Sequence, residues 1–126
     1  MTTATNNIEQ AVESYFAMWN ETDPERRARC IAEAWETDCK YVDPLLEAAG
    51  YSALDQMVAG VHAQFPGHRF ALTSGLDQHH DRVRFAWELR APDGTLTVEG
   101  IDLGEVGPEG RLRSITGFFG PVPAAA

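Results

Sequence analysis

The chain has 126 residues, 44% of them hydrophobic, which suits one domain around one core over 1–126, because two half-length domains would each bury too little apolar surface. Ten lysines and arginines against 19 aspartates and glutamates leave a formal net charge of −9, which disfavours a nucleic acid or an anionic membrane as partner. No apolar run approaches the ~20 residues of a membrane-crossing helix, and residues 1–7 lack the basic and apolar regions of a secretory signal, so a cytoplasmic location is expected.

The two cysteines, Cys30 and Cys39, read as reduced, buried thiols in that compartment, and without a second cysteine pair they make no zinc site. Residues 1–5 and 121–126 read as frayed ends. In chain order, the first helix is expected to start at Asn6 or Asn7, either of which can cap it with Glu9 or Gln10 three residues on. Ile8, Val12, Tyr15, Phe16 and Trp19 then share one helical face. Asp23 as cap and Pro24 at the first helical position open a second helix with Ala28, Ile31, Ala32 and Trp35 as its stripe. Residues 37–42 read as a short extended segment stopped by Asp43-Pro44. A third helix follows Gly50, with Ser52 and Asp55 in capping-box spacing and Leu54, Met57, Val58, Val61 and Phe65 as its apolar face, and Pro66-Gly67 ends it.

Four strands are predicted after the helices: 69–74, 82–91, 95–106 and 111–119. The second alternates, with Val83, Phe85, Trp87 and Leu89 on one face, and is reached through a polar turn at 77–81. Pro92-Asp93-Gly94 and residues 107–110 are turns, so the strands form an antiparallel meander. Helices first and strands later make the class α+β: three helices on a curved antiparallel sheet enclosing one largely apolar pocket.

Chemistry is sought where polar groups occupy apolar positions. On the third strand Asp102 shares a face with Leu96, Val98, Gly100, Gly104 and Val106, and either face of that strand can point inward. If this face is inward, Asp102 is desolvated and its pKa rises, so that a protonated carboxyl can donate to a substrate oxygen; the plainer reading is a solvated or arginine-paired carboxylate. Tyr15 is either a core tyrosine bonded to a carbonyl or a phenol donor aimed into the cavity. Asp43, held by Pro44, is either a turn-capping acid or a general base at the cavity mouth. Trp19, Val58, His62, Trp87 and Phe118 are the expected pocket wall, although His62 also fits the surface and the tryptophans also fit the core. His79-His80-Asp81 reads as a solvated turn, no metal or cofactor is expected, and GxGxxG, P-loop, GxSxG and HExxH motifs are absent from the sequence.

The stretches VESYFAMWNETD, CKYVDPL, SALDQMVAGVHAQF, VEGIDLGEV and GRLRSITGFFG, in this order, resemble the NTF2-like superfamily, which includes the SnoaL-like polyketide cyclases and the ketosteroid isomerases. The resemblance runs from about Ile8 to Gly120 and implies a cone-shaped α+β barrel. Ketosteroid isomerases use a tyrosine on the first helix, an aspartate before a proline and an aspartate on a late strand, which match Tyr15, Asp43 and Asp102. The resemblance implies that Asp43 moves a proton α to a carbonyl while Tyr15 and protonated Asp102 stabilise the enolate oxygen. Where the isomerases carry further tyrosines this chain has Met57 and Val58, which thins the hydrogen-bond network and argues against a steroid. The Asp–Arg–Asp set of related epoxide hydrolases is replaced by Phe85-Ala86-Trp87 and Thr116-Gly117-Phe118, so that activity is not expected; ring closure of a polyketide through the same carboxylates is.

Three readings follow: a cofactor-independent isomerase or cyclase on a small apolar carbonyl compound, a non-catalytic binder of a small apolar ligand, and a dimeric interaction domain. Fold alone does not separate them. A homodimer is expected, through an outer sheet face carrying Ile101, Leu103, Ile115 and Phe119 if the Asp102 face points inward.

Overall fold

The computed structural model describes residues 4–126, with side chains from residue 7 onward. The elements are α1 (Ala4–Asn20), α2 (Pro24–Ala34), β1 (Trp35–Val42), β2 (Glu47–Ala49), α3 (Tyr51–Gln64), β3 (Arg69–Leu72), β4 (Asp77–His79), β5 (Arg82–Arg90), β6 (Leu96–Val106) and β7 (Leu112–Phe119).

Along α1, Ile8, Ala11, Val12, Tyr15, Met18 and Trp19 are buried at helical spacing. The helix begins at Ala4, so Asn6 and Asn7 lie inside it rather than capping it. Of the N-terminal stretch expected to fray, residues 1–3 lie outside the described residues and Ala4 and Thr5 are helical. The start of α2 is as expected: the Asp23 carboxylate accepts the Arg26 N–H at 2.9 Å and Pro24 occupies the first turn. Its inner face is Arg27, Ile31 and Ala34, while Ala28 and Ala32 face solvent. The rotation follows Arg27, which turns inward to donate to Asp55 at 2.7 Å and to the Glu21 carbonyl at 3.0 Å. This pairing also explains why no side-chain cap forms on α3: Asp55 faces Arg27, and the cap position is Gly50 at φ 84°.

The sheet order is β2-β1-β7-β6-β5-β3, with β4 also on β5. The β5-β6-β7 meander is antiparallel, but β1 lies parallel to β7, with Tyr41 beside Ile115 and Val42 beside Thr116. The sheet is therefore mixed and curved, an open cone rather than the wholly antiparallel one expected. A parallel neighbour requires a long connection; here it is everything from β2 to β6. The short strands β2 and β4 escape the sequence pattern. Glu47–Ala49 is too short and alanine-rich to read as a strand, and polar Asp77–His79 pairs along β5 through its backbone. The helices cover the concave face, where Trp35, Tyr15, Met18, Ile31, Leu54 and Leu112 are fully buried.

Candidate active site

Asp102 decides which face of β6 points inward. It is 3% exposed, and Gly100, Gly104 and Val106 are buried with it, whereas Ile101 and Leu103 face out. From α1, the Tyr15 hydroxyl donates to Asp102 Oδ2 at 2.6 Å; from β5, the Trp87 indole Nε1 donates to Asp102 Oδ1 at 3.0 Å. Burial raises the Asp102 pKa from 3.8 to about 6, the Asp43 charge adds to the rise, and the bonds from Tyr15 and Trp87 oppose it. Burial, then the Asp102 charge, pushes the Tyr15 phenol well above its usual range, so it stays a donor.

A second tyrosine–aspartate pair comes from the end of β1. The Tyr41 hydroxyl donates to Asp43 Oδ2 at 2.6 Å, and Asp43 Oδ1 accepts the backbone N–H groups of Leu45 and Leu46, each at 2.8 Å. These bonds shape the tight turn into β2 and hold the carboxylate at the edge of the hollow. Burial again raises the Tyr41 pKa far above its usual value. Gly117 on β7, opposite Asp102 in register, is where the pairs meet. A Cβ there would lie 2.8 Å from Asp102 Oδ1, 3.2 Å from Asp43 Cβ and 3.7 Å from the Tyr41 hydroxyl, so only glycine leaves the two carboxylates at one end of the hollow.

The half-enclosed hollow has a volume of about 60 Å³. That is well below the ~300–1,000 Å³ of pockets that enclose a drug-sized ligand. A steroid would leave most of its rings outside. Tyr15, Asp43, Asp102, Trp19 and Trp87 line it, joined by Tyr41, Phe70 and Phe119. Three residues expected in the wall lie elsewhere. Val58 is buried in the core behind it, and its neighbour Val61 lines the hollow instead. His62 is tied by Nε2 to the Trp19 carbonyl at 2.6 Å. Phe118 is 57% exposed on the outer face, and strand alternation puts Phe119 inside. Tyr41 is the polar site residue the sequence reading missed; its place two residues before Asp43, on the same strand face, was the available signal. Among the described residues no cluster of acids, histidines and cysteines can hold a metal ion.

An α+β cone with helices closing an acid-bearing hollow is the NTF2-like arrangement. No protein-family model and no curated protein matches this chain. Among solved structures, an inferred isomerase of the SnoaL-like family from Agrobacterium tumefaciens is 34% identical, with 92% of this chain and 99% of that one aligned at a TM-score of 0.86. The chain therefore belongs to the SnoaL-like family, and its fold is NTF2-like. An inferred SnoaL-like polyketide cyclase from a Jannaschia species (14% identity, 88% and 85% covered, TM-score 0.67) shares the fold. So does a protein of ketosteroid isomerase-like fold from Catenulispora acidiphila, in complex with trimethylamine (18% identity, 86% and 83% covered, TM-score 0.67).

Proposed function

We propose that this chain is a cofactor-independent isomerase or cyclase that moves a proton on a small carbonyl compound. Asp43 acts as the base α to the carbonyl, and Tyr15 with protonated Asp102 donates to the developing enolate oxygen. The observation carrying this reading is the buried Tyr15–Asp102 contact at 2.6 Å, with Asp43 at the same end of the hollow. An Asp102 pKa of about 6 makes its proton available below that pH, so turnover should decline as pH rises through about 6. The volume argues for a compact ketone rather than a steroid. We propose further that the chain works as a single domain in the cytoplasm, paired as a homodimer through its outer sheet face.

The test is deuterium exchange into the α-positions of small cyclic ketones, followed by NMR, in the wild type and Asp43→Asn. Asparagine retains an oxygen for the Leu45 and Leu46 N–H groups, so the turn survives. Loss of the base should slow exchange by ~10²–10⁴-fold; equal rates would discard the assignment.

A further inference from the structure

The lining of the hollow contains two aspartates and no lysine, arginine or histidine. A carboxylate out of water needs a partner of opposite charge or a proton. Asp102 is hydrogen-bonded only by the neutral donors Tyr15 and Trp87, and Asp43 by Tyr41 and two backbone N–H groups. With its pKa raised only to about 6, Asp102 is charged at neutral pH. The hollow is thus a negative site without a built-in cation.

The rest of its wall is apolar, with Leu46, Val61, Leu89 and Val98 beside a set of aromatic rings. Tyr41, Trp19, Phe70, Trp87 and Phe119 form a chain of neighbouring rings, with centroid separations of 5.7 Å (Tyr41–Trp19), 4.8 Å (Trp19–Phe70), 5.7 Å (Phe70–Trp87) and 5.9 Å (Trp87–Phe119). One end of the arc, Tyr41, bonds Asp43, and Trp87 near the other bonds Asp102. Aromatic walls beside carboxylates attract a cation through the ring quadrupoles, most strongly when water is excluded.

From this arrangement we infer that the hollow binds a small alkylated ammonium ion, tertiary or quaternary, with its methyl groups against the aromatic arc and its charge facing Asp102 and Asp43. The apolar wall favours this class. A primary ammonium brings three N–H donors, against one on a tertiary and none on a quaternary ion, and apart from the two carboxylates the lining is largely apolar. A hard divalent metal beside two carboxylates would have to keep most of its waters, which this small, largely apolar hollow does not suit. The volume of about 60 Å³ in a half-open hollow limits the ligand to a small headgroup that reaches the mouth, and the net charge of −9 draws cations toward the molecule. The inference uses the pocket of the proposed reaction but does not depend on catalysis there.

Calorimetric titration of the wild-type chain at about pH 7.5, well above the Asp102 pKa, tests it. The probes are tetramethylammonium chloride, tert-butanol as a neutral compound of similar shape, and ammonium chloride, with indole fluorescence as a second readout. Tetramethylammonium should bind at least about tenfold more tightly than tert-butanol or ammonium, and Asp102→Asn should erase that preference. Should that variant fail to fold, the wild-type ratio of charged to neutral ligand decides alone. Equal or tighter binding of tert-butanol or ammonium, or no binding of tetramethylammonium, overturns the inference. Deuterium exchange into ketones is read separately, so failure of the reaction leaves this result standing, and the converse holds.

Discussion

Asp102 is the one buried acid among the described residues, and its environment ties the site to stability. In the unfolded chain its pKa returns to about 3.9, against about 6 when folded. Between those values the folded state binds more protons, so this group's contribution to stability is complete below about 4 and is lost as pH rises through about 6. Two pH units correspond to an order of 3 kcal/mol. Chemical denaturation of the wild type and Asp102→Asn across this window should therefore show a wild-type stability that falls relative to the variant as pH rises; parallel curves would mean that Asp102 is not desolvated. Neighbouring residues make this environment. Gly117 leaves room for the carboxylate, and Gly100 lets the Trp87 indole lie against the β6 backbone and reach Asp102. Burial raises the pKa of both thiols, so Cys30 and Cys39 stay protonated and unreactive at neutral pH.

Among the elements, α2 is the clearest case of local chemistry surviving into the fold. Asp23→Ala should remove the N-cap bond and cost about 1 kcal/mol, read as a lower midpoint in urea; Asp23→Ser should recover most of it, and an unchanged midpoint in the alanine variant would show that the helix is held by packing alone. Local signals were also sufficient to place β5, β6 and β7 between their turns, though not to choose the inward face of β6. They were insufficient where a distant residue intervened. Ser52 and Asp55 have capping-box spacing, yet Asp55 belongs to Arg27 on α2. Nothing within β1 says that its partner is β7, far along the chain and parallel, because that pairing depends on how the intervening elements pack.

At the scale of the molecule, burial alternation revises the proposed dimer surface. Ile115 is 1% exposed and Phe119 lines the hollow, so the outer apolar group is Ile101, Leu103 and Phe118, at 40%, 43% and 57% exposure. Ile101 and Phe118 are directly paired across β6 and β7. Sedimentation of the wild type should report a dimer, and Leu103→Ser with Phe118→Ser should shift it to monomer with little loss of helical circular dichroism; a monomeric wild type would remove the proposal. No helix among the described residues is long and apolar enough to cross a membrane.

The sequence by itself determined the α+β order, the three helices, the meander and three chemically distinctive side chains, Tyr15, Asp43 and Asp102, because these follow from periodicity, turn chemistry and polar residues in apolar settings. Only the tertiary structure decided which face of β6 is wet, that Tyr41 grips Asp43, that Phe119 rather than Phe118 faces the hollow, and how little room the aromatic rings leave. Those facts arise from contacts between segments far apart in the chain, and desolvation, which governs the chemistry proposed for Asp102, is a property of what surrounds a residue rather than of the residue itself.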